Sequence, residues 1–378
     1  LSNPGFNGLD DPRLRGVLEA MEQSDGIASK AARSLGMDRG TFVHRLDAAR
    51  RYAAAPEGQR QAVSATGLDF STATHGWIKT DGEGKVTGHS VFWKAQPDPQ
   101  KLADAIREAI ADCPAPLPVA APEAKEGLCA LFPVADLHIG MLADAEEVGE
   151  DWDTKIASRV FAETFSRIVS VTPLAEVAIL AQLGDLTHTD DQRNVTPQSG
   201  HQLDTDSRYF MILRRAVAAM KAAIEALRQK YHRVIYCGRR GNHDMTAHYA
   251  VTLALAEYYR EIENVIIVEN AADFWVHEFG RNMIVLHHGD RAKPERLAHF
   301  AAAQWPEIWG RTKYRLALSG HVHHDSAKDI GGMRFESVGT IIPRDAYSYS
   351  HAYSARRSLV SITLDKDQGE ISRARVNL

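Results

Sequence analysis

From residue 128 onward the chain alternates short apolar runs with longer amphipathic stretches. Runs of strand length occupy residues 128–135, 177–183, 233–237 and 265–268. The stretches between them, 152–171, 204–231 and 246–262, carry apolar residues at helical spacing. Beyond residue 273 strands dominate, at 274–279, 283–287, 316–319, 333–338 and 358–364. Strands alternating with helices predict an α/β sandwich in which sheets pack under a layer of helices.

The pattern upstream is different. Residues 27–51 hold two blocks of helical spacing separated by Leu35-Gly36-Met37-Asp38, and Asp38 is placed to cap a second helix beginning near Arg39. That is the grammar of a helix-turn-helix, and we assign residues 1–65 to a module of this kind. Residues 75–94 predict a hairpin around the turn DGEG, and 99–112 a short amphipathic helix, together a region spanning 66–112. Residues 113–127 are a Pro/Ala-rich linker, which leaves 128–378 as the large domain. A length of 378 residues fits two or three domains.

Composition narrows the partners. With 44% hydrophobic and 25% charged residues the chain has the make-up of a soluble globular protein. A net charge of -5 argues against general polyanion binding, so nucleic-acid contact requires a local patch. One exists: Lys30, Arg33, Arg39, Arg45, Arg50 and Arg51 face only Asp38 and Asp47 within the same segment. Arg39, Thr41, His44 and Arg45 are the candidate DNA contacts there, and assembly into a homo-oligomer is the other use of such a module. Cys113, Cys129 and Cys237 are far apart and lack CxxC spacing, which predicts inert thiols in a reducing cytoplasm. Residues 1–16 show no basic region leading into an apolar stretch, and no apolar run nears the roughly 20 residues of a membrane span, so no membrane partner is expected.

Five polar blocks carry the candidate chemistry: Asp136-Leu137-His138, Gly184-Asp185, Gly241-Asn242-His243-Asp244, His287-His288-Gly289 and Gly320-His321-Val322-His323. Four follow an apolar run directly; the third follows the strand VIYC after the short segment GRR. Side chains at strand ends project into the crevice where open α/β sheets bind ligands. The DxH and HxH spacings put both polar residues on one side of an extended segment. Carboxylate, imidazole and amide together suit divalent first-row cations. Seven ligands sharing one carboxylate hold two ions about 3.5–4 Å apart. In the HHG block either His287 or His288 can be the ligand.

In order and spacing these blocks resemble the signature of the calcineurin-like metallophosphoesterases: DxH, GD, GNH[DE], H, GHxH. The resemblance covers roughly residues 130–325. It implies that Asp136, His138 and His323 bind one metal, that Asn242, His288 and His321 bind a second, and that Asp185 bridges them with a water or hydroxide that attacks phosphorus. It further implies that His243 contacts the scissile phosphate or protonates the leaving oxygen, steered by Asp244. The metal is expected to be Mn, with Fe, Zn and Ni fitting the same donors. DWDTKIA, TPQSGHQLD, GNHDM, FAAAQWPEIWG and GHVHH also resemble phage and prophage metallophosphoesterases that carry a helix-turn-helix before the core. For such a protein the bacterial host cytoplasm is the expected location.

Further residues flank these blocks. His188 is placed to contact substrate or a water beyond the metal ligands, and His201 and Arg208 to face phosphate from the polar insertion 194–208. The segment 344–357, RDAYSYSHAYSARR, is expected to pack its tyrosines on the sheet, with base stacking and phosphate contact as the other reading. The tract 305–315 has the same two readings. The function expected from all this is a two-metal phosphodiesterase or nuclease acting on DNA. The alternatives are a small-nucleotide phosphatase or cyclic-nucleotide phosphodiesterase with a regulatory N-terminal module, and a DNA-binding adaptor with a residual metal site.

Overall fold

The computed structural model describes most positions between 12 and 50, the backbone of strands at 73–80 and 86–93, a few positions between 116 and 122, and 124–378 apart from 198. The chain divides into two compact units between Asp98 and Pro99.

In the first unit, α1 (Pro12–Gln23) and α2 (Ala28–Ser34) are followed by helical backbone at Arg39, Phe42, Val43, Arg45, Leu46, Ala49 and Arg50. Val17, Leu18, Ala31, Ala32, Phe42, Leu46 and Ala49 bury one another in a small core. Gly36 sits between these helical stretches with φ 65, a left-handed turn that glycine takes without a Cβ clash. Arg39 and Arg45 are exposed, whereas Thr41 and His44 lie outside the described residues. The expected hairpin forms as β1 (Ala73–Thr80) paired antiparallel with β2 (Val86–Trp93). The helix expected over 99–112 lies outside the described residues, as does most of the linker.

The second unit is an α/β sandwich of two mixed sheets flanked by helices, as the block pattern predicts. β3 (Leu128–Val134), β4 (Val177–Gln182), β5 (Arg233–Gly238) and β6 (Val265–Ile267) run parallel. β12 (Ser358–Asp365) and β13 (Gly369–Asn377) extend that sheet antiparallel, in the order β13-β12-β3-β4-β5-β6. The second sheet has the order β10-β11-β9-β8-β7, built from β7 (Trp275–Phe279), β8 (Asn282–Leu286), β9 (Tyr314–Ser319), β10 (Ser326–Ile330) and β11 (Met333–Ser337).

The central strands β3, β4 and β8 are buried at every position because each face has its own core. In β4, Val177, Ile179 and Ala181 meet Ile284, Leu286, Leu316 and Leu318 of the other sheet. Ala178 and Leu180 turn the opposite way, under α4 (Thr154–Val171), α5 (Tyr209–Arg228) and α6 (Ala247–Tyr258), which supply Phe165, Ile212, Ile224 and Val251. The short helix α3 (Ala145–Val148) precedes α4. On the far side of the second sheet, α7 (Pro294–Gln304) and α8 (Pro306–Arg311) cover Met283, Val285 and Phe335. The tract expected to pack or to bind substrate does pack: Trp305, Ile308 and Trp309 lie on this outer core, and Arg315 stands 4.1 Å from the Trp309 ring.

Candidate metal centre

All five polar blocks emerge just beyond the C-terminal ends of β3, β4, β5, β8 and β9, and within each sheet these strands are parallel. Parallel strands of two sandwiched sheets thus deliver their loops to one rim. There Asp136, His138 and His323 bring ligand atoms together in one group, and Asp185, His288 and His321 in a second, with all atoms of each group within 4.8 Å of one another. His138 also belongs to a third such group, with His188 and His243.

The local backbone is strained to achieve this. Among the described residues, seven non-glycine positions have positive φ, and five are Asp136, His138, Asp185, His321 and His323. Such conformations cost about 1–3 kcal/mol each and persist where the surroundings over-determine them. Their concentration at one rim marks a built site. Glycines allow the close packing behind it. A Cβ at Gly320 would stand 2.6 Å from Asp136 Oδ2, and one at Gly241 would collide with Asp185 Oδ1.

Hydrogen bonds fix each side chain. His321 N donates to both Asp136 oxygens at 3.1 and 2.9 Å. His243 N donates to Asp185 Oδ1 at 2.8 Å. His288 Nδ1 donates to the Leu183 carbonyl at 2.8 Å, so the Nε2 lone pair of the neutral ring faces Asn242 Oδ1 at 3.0 Å and Asp185 Oδ2 at 3.3 Å. A lone pair opposed to two oxygens is repulsive unless a proton or a cation stands between them. Burial disfavours a charged His288, but Asp185 and Asp136 outweigh it and raise its pKa to about 10. Around the other group, His138 Nε2 and His323 Nε2 lie 3.2 Å apart, with Asp185 Oδ2 3.7 Å from the first and Asp136 Oδ1 3.8 Å from the second. Burial would raise the Asp185 pKa; His288, His138 and His243 around it hold the carboxyl well below the usual range. Converging nitrogens and carboxylate oxygens, buried and without enough protons among them, fit divalent cations.

The two histidines of the HHG block point in different directions. His288 faces the two carboxylates, while His287 is buried beside the Phe274 ring at 5.7 Å. His188 is buried and stands behind His138, their Nδ1 atoms 3.2 Å apart. Burial, then His243, pushes the His188 pKa down to about 3, which keeps that ring neutral. With Nε2 of His138 turned to the carboxylates, its Nδ1–H donates to His188, an orienting contact typical behind metal-binding histidines.

Two expectations need correction. Asp244 does not steer His243: its carboxylate accepts backbone N–H groups of Gly241, Asp185 and Leu186 at 2.6, 3.2 and 2.7 Å. The His243 ring is held instead by the His188 carbonyl, to which its Nδ1 donates at 2.9 Å. Nor do the tyrosines of 344–357 pack on the sheet. Tyr347, Tyr349 and Tyr353 are 61%, 50% and 58% exposed, and the segment flanks a cleft of about 1060 Å³ that opens onto the metal-site residues. His201 lines this cleft, and Arg208, at the start of α5, is not among its walls.

No family profile matches the chain, and no curated protein matches it. Solved structures similar to it include Yfce, a phosphoesterase from E. coli, with 15% identity, a TM-score of 0.32, and coverage of 65% of this chain and 98% of that one. Another is a novel archaeal phosphodiesterase, with 11% identity, a TM-score of 0.30, and coverage of 66% and 99%. A third is a predicted phosphoesterase from Streptococcus pneumoniae TIGR4, with 14% identity, a TM-score of 0.27, and coverage of 66% and 98%. Among the described residues no helix is long and apolar enough to cross a membrane.

Proposed function

We propose that the protein is a metal-dependent phosphoesterase, with Asp136, His138 and His323 holding one divalent cation, Asn242, His288 and His321 a second, and Asp185 shared between them. The observation that carries this reading is the meeting of the two ligand groups at one rim, with Asp185 Oδ2 within 3.7 Å of His138 Nε2 and 3.3 Å of His288 Nε2. When bound, such a pair supplies Lewis acidity to phosphoryl oxygens and lowers the pKa of water. The rest falls to the chain's own residues. His243, its Nδ1 fixed by the His188 carbonyl, offers Nε2 to a phosphoryl or leaving-group oxygen in the cleft. The buried carboxylates keep the ligand set anionic, so that it attracts cations rather than phosphate.

The proposed substrate is a phosphodiester, with DNA as the substrate class. An open cleft of about 1060 Å³ with Arg344 and Arg356 on its walls has room for more than one nucleotide. The exposed Arg39 and Arg45 of the first unit would add phosphate contacts of their own. Mn is the proposed metal; Fe, Zn and Ni suit the same donors. Buried Cys129 and Cys237 fit a reducing compartment.

The test is hydrolysis of single- and double-stranded DNA, nucleotides, and aryl phosphate mono- and diesters with and without Mn, for the native chain and Asp185→Asn. Metal-dependent turnover lost in the variant supports the reading. Turnover of small nucleotides far above DNA would move the substrate to that class. No metal-dependent hydrolysis of any ester would reject the enzyme.

A further inference from the structure

The segment 344–357 leaves an aromatic and basic surface on the cleft that the metal centre does not use. Its backbone is tied down. Asp345 accepts the Ser348 N–H at 2.8 Å and caps α9 (Ala346–Ser350). Tyr353 N donates to the Ser348 carbonyl at 2.9 Å across a left-handed Ala352. Arg357 donates to the Ile341 carbonyl at 2.7 Å and pairs with Glu150. The rings are therefore exposed on a fixed frame.

Those rings form a pile. Tyr347 and His351 have centroids 4.2 Å apart, and His351 stacks on Tyr353 at 5.7 Å with 27° between planes. Arg344 stands 5.1 Å from the Tyr349 ring. Neither Arg344 nor Arg356 has an ion-pair partner among the described residues. Tyr347 and Tyr353 line the same cleft as His243 and His323. Folding gains little from leaving three tyrosines half or more exposed. The gain comes from a ligand with flat apolar faces and a polyanionic backbone, the two things that aromatic rings and free guanidinium groups bind.

We infer that Tyr347 and Tyr353, with Arg344 and Arg356, form a platform for single-stranded nucleic acid beside the metal centre, stacking unpaired bases and directing the strand's phosphates into the cleft. The inference rests on the phosphoesterase reading and narrows its substrate to unpaired strands. A duplex hides its base faces, so the platform discriminates against it.

The test measures binding apart from hydrolysis. A fluorescein-labelled DNA strand of about 20 nucleotides is titrated by anisotropy against the full chain in chelator, alongside the same sequence as duplex. A small aryl phosphodiester is assayed with Mn. The Tyr347→Ala, Tyr353→Ala double variant should weaken strand binding by about tenfold or more, with aryl diester turnover within about twofold of native, an expectation set by the placement of these rings outside the reacting atoms. Arg344→Ala should lower the salt dependence of strand binding by about one phosphate contact. Tyr347→Trp should retain strand binding and thereby guard against a folding artefact. Unchanged strand binding in the double variant, equal binding of strand and duplex, or parallel loss of strand binding and diester turnover would overturn the platform. Absent aryl diester turnover in the native chain would instead count against the phosphoesterase.

Discussion

Asp244 holds Asp185 from behind. Its Oδ1 accepts the backbone N–H of Asp185 at 3.2 Å, while Oδ2 takes that of Leu186 at 2.7 Å and Oδ1 also takes that of Gly241. One buried carboxylate thus locks the β4 loop to the β5 loop and sets the left-handed turn that presents Asp185.

Asp244→Asn should therefore act as a positioning change. An asparagine turns an NH2 group toward one of these backbone donors and leaves a buried N–H unpaired, at a cost of about 1–3 kcal/mol. Metal affinity should fall by about 10–100-fold, as for other supports of metal ligands. Denaturant unfolding in chelator and a metal titration measure the two effects. Native-like values in both would show that the carboxylate is not the lock.

The neighbouring histidines of the HHG block should separate cleanly. His288→Ala removes an atom facing Asp185 and Asn242, and should lower the number of ions held per chain. His287→Ala removes a ring packed on Phe274, and should cost stability while retaining the ions. Elemental analysis of both variants decides; loss of metal in His287→Ala alone would reverse the assignment.

His243→Ala should keep the metals and lose turnover by about 10²–10⁴-fold, the usual range for a proton-transfer group. If its Nε2 assists the leaving oxygen, the loss is smaller for a nitrophenolate leaving group, which departs without a proton, than for an alkoxide. Comparing kcat for an aryl and an alkyl diester reads this directly. Equal losses would confine His243 to phosphate binding.

Away from the site, Glu336 is buried with Arg373 donating to it at 2.6 and 3.1 Å and Arg334 beside it. Burial opposes its ionisation, but the two arginines outweigh burial and hold the carboxyl below its ordinary value of 4.5. The unfolded chain then binds this proton more tightly than the folded one. The stability is present above the unfolded pKa and is lost as pH falls through the folded value. Glu336→Gln should lower Tm at neutral pH and flatten the fall in Tm between about pH 5 and 3. An unaltered acid limb would show that the cluster adds nothing.

Much of this was legible in the residues. The apolar runs that become β3, β4, β8 and β9 lead into DxH, GD, HHG and GHxH because a strand buried on both faces is a continuous apolar signal. Two of the edge strands escaped: β10 (SAKDI) is exposed or half-exposed along its length, and β13 carries charge at Glu370, Arg373 and Arg375. α7 and α8 were hidden behind their prolines, which act as first-turn residues here and not as breakers. Within the site the residue types were readable, but the partners were not. That His188 supports both His138 and, through its carbonyl, His243 depends on a backbone path no spacing encodes. Nor does local sequence distinguish tyrosines that pack from tyrosines that line a cleft, since segment 344–357 suits either.

The most direct measurement is the metal content of the purified native chain and of Asp185→Asn after equilibration with Mn. The shared-carboxylate centre predicts two ions per native chain and a loss in the variant. A native chain that holds no metal, or a variant that holds the same two ions, would contradict it.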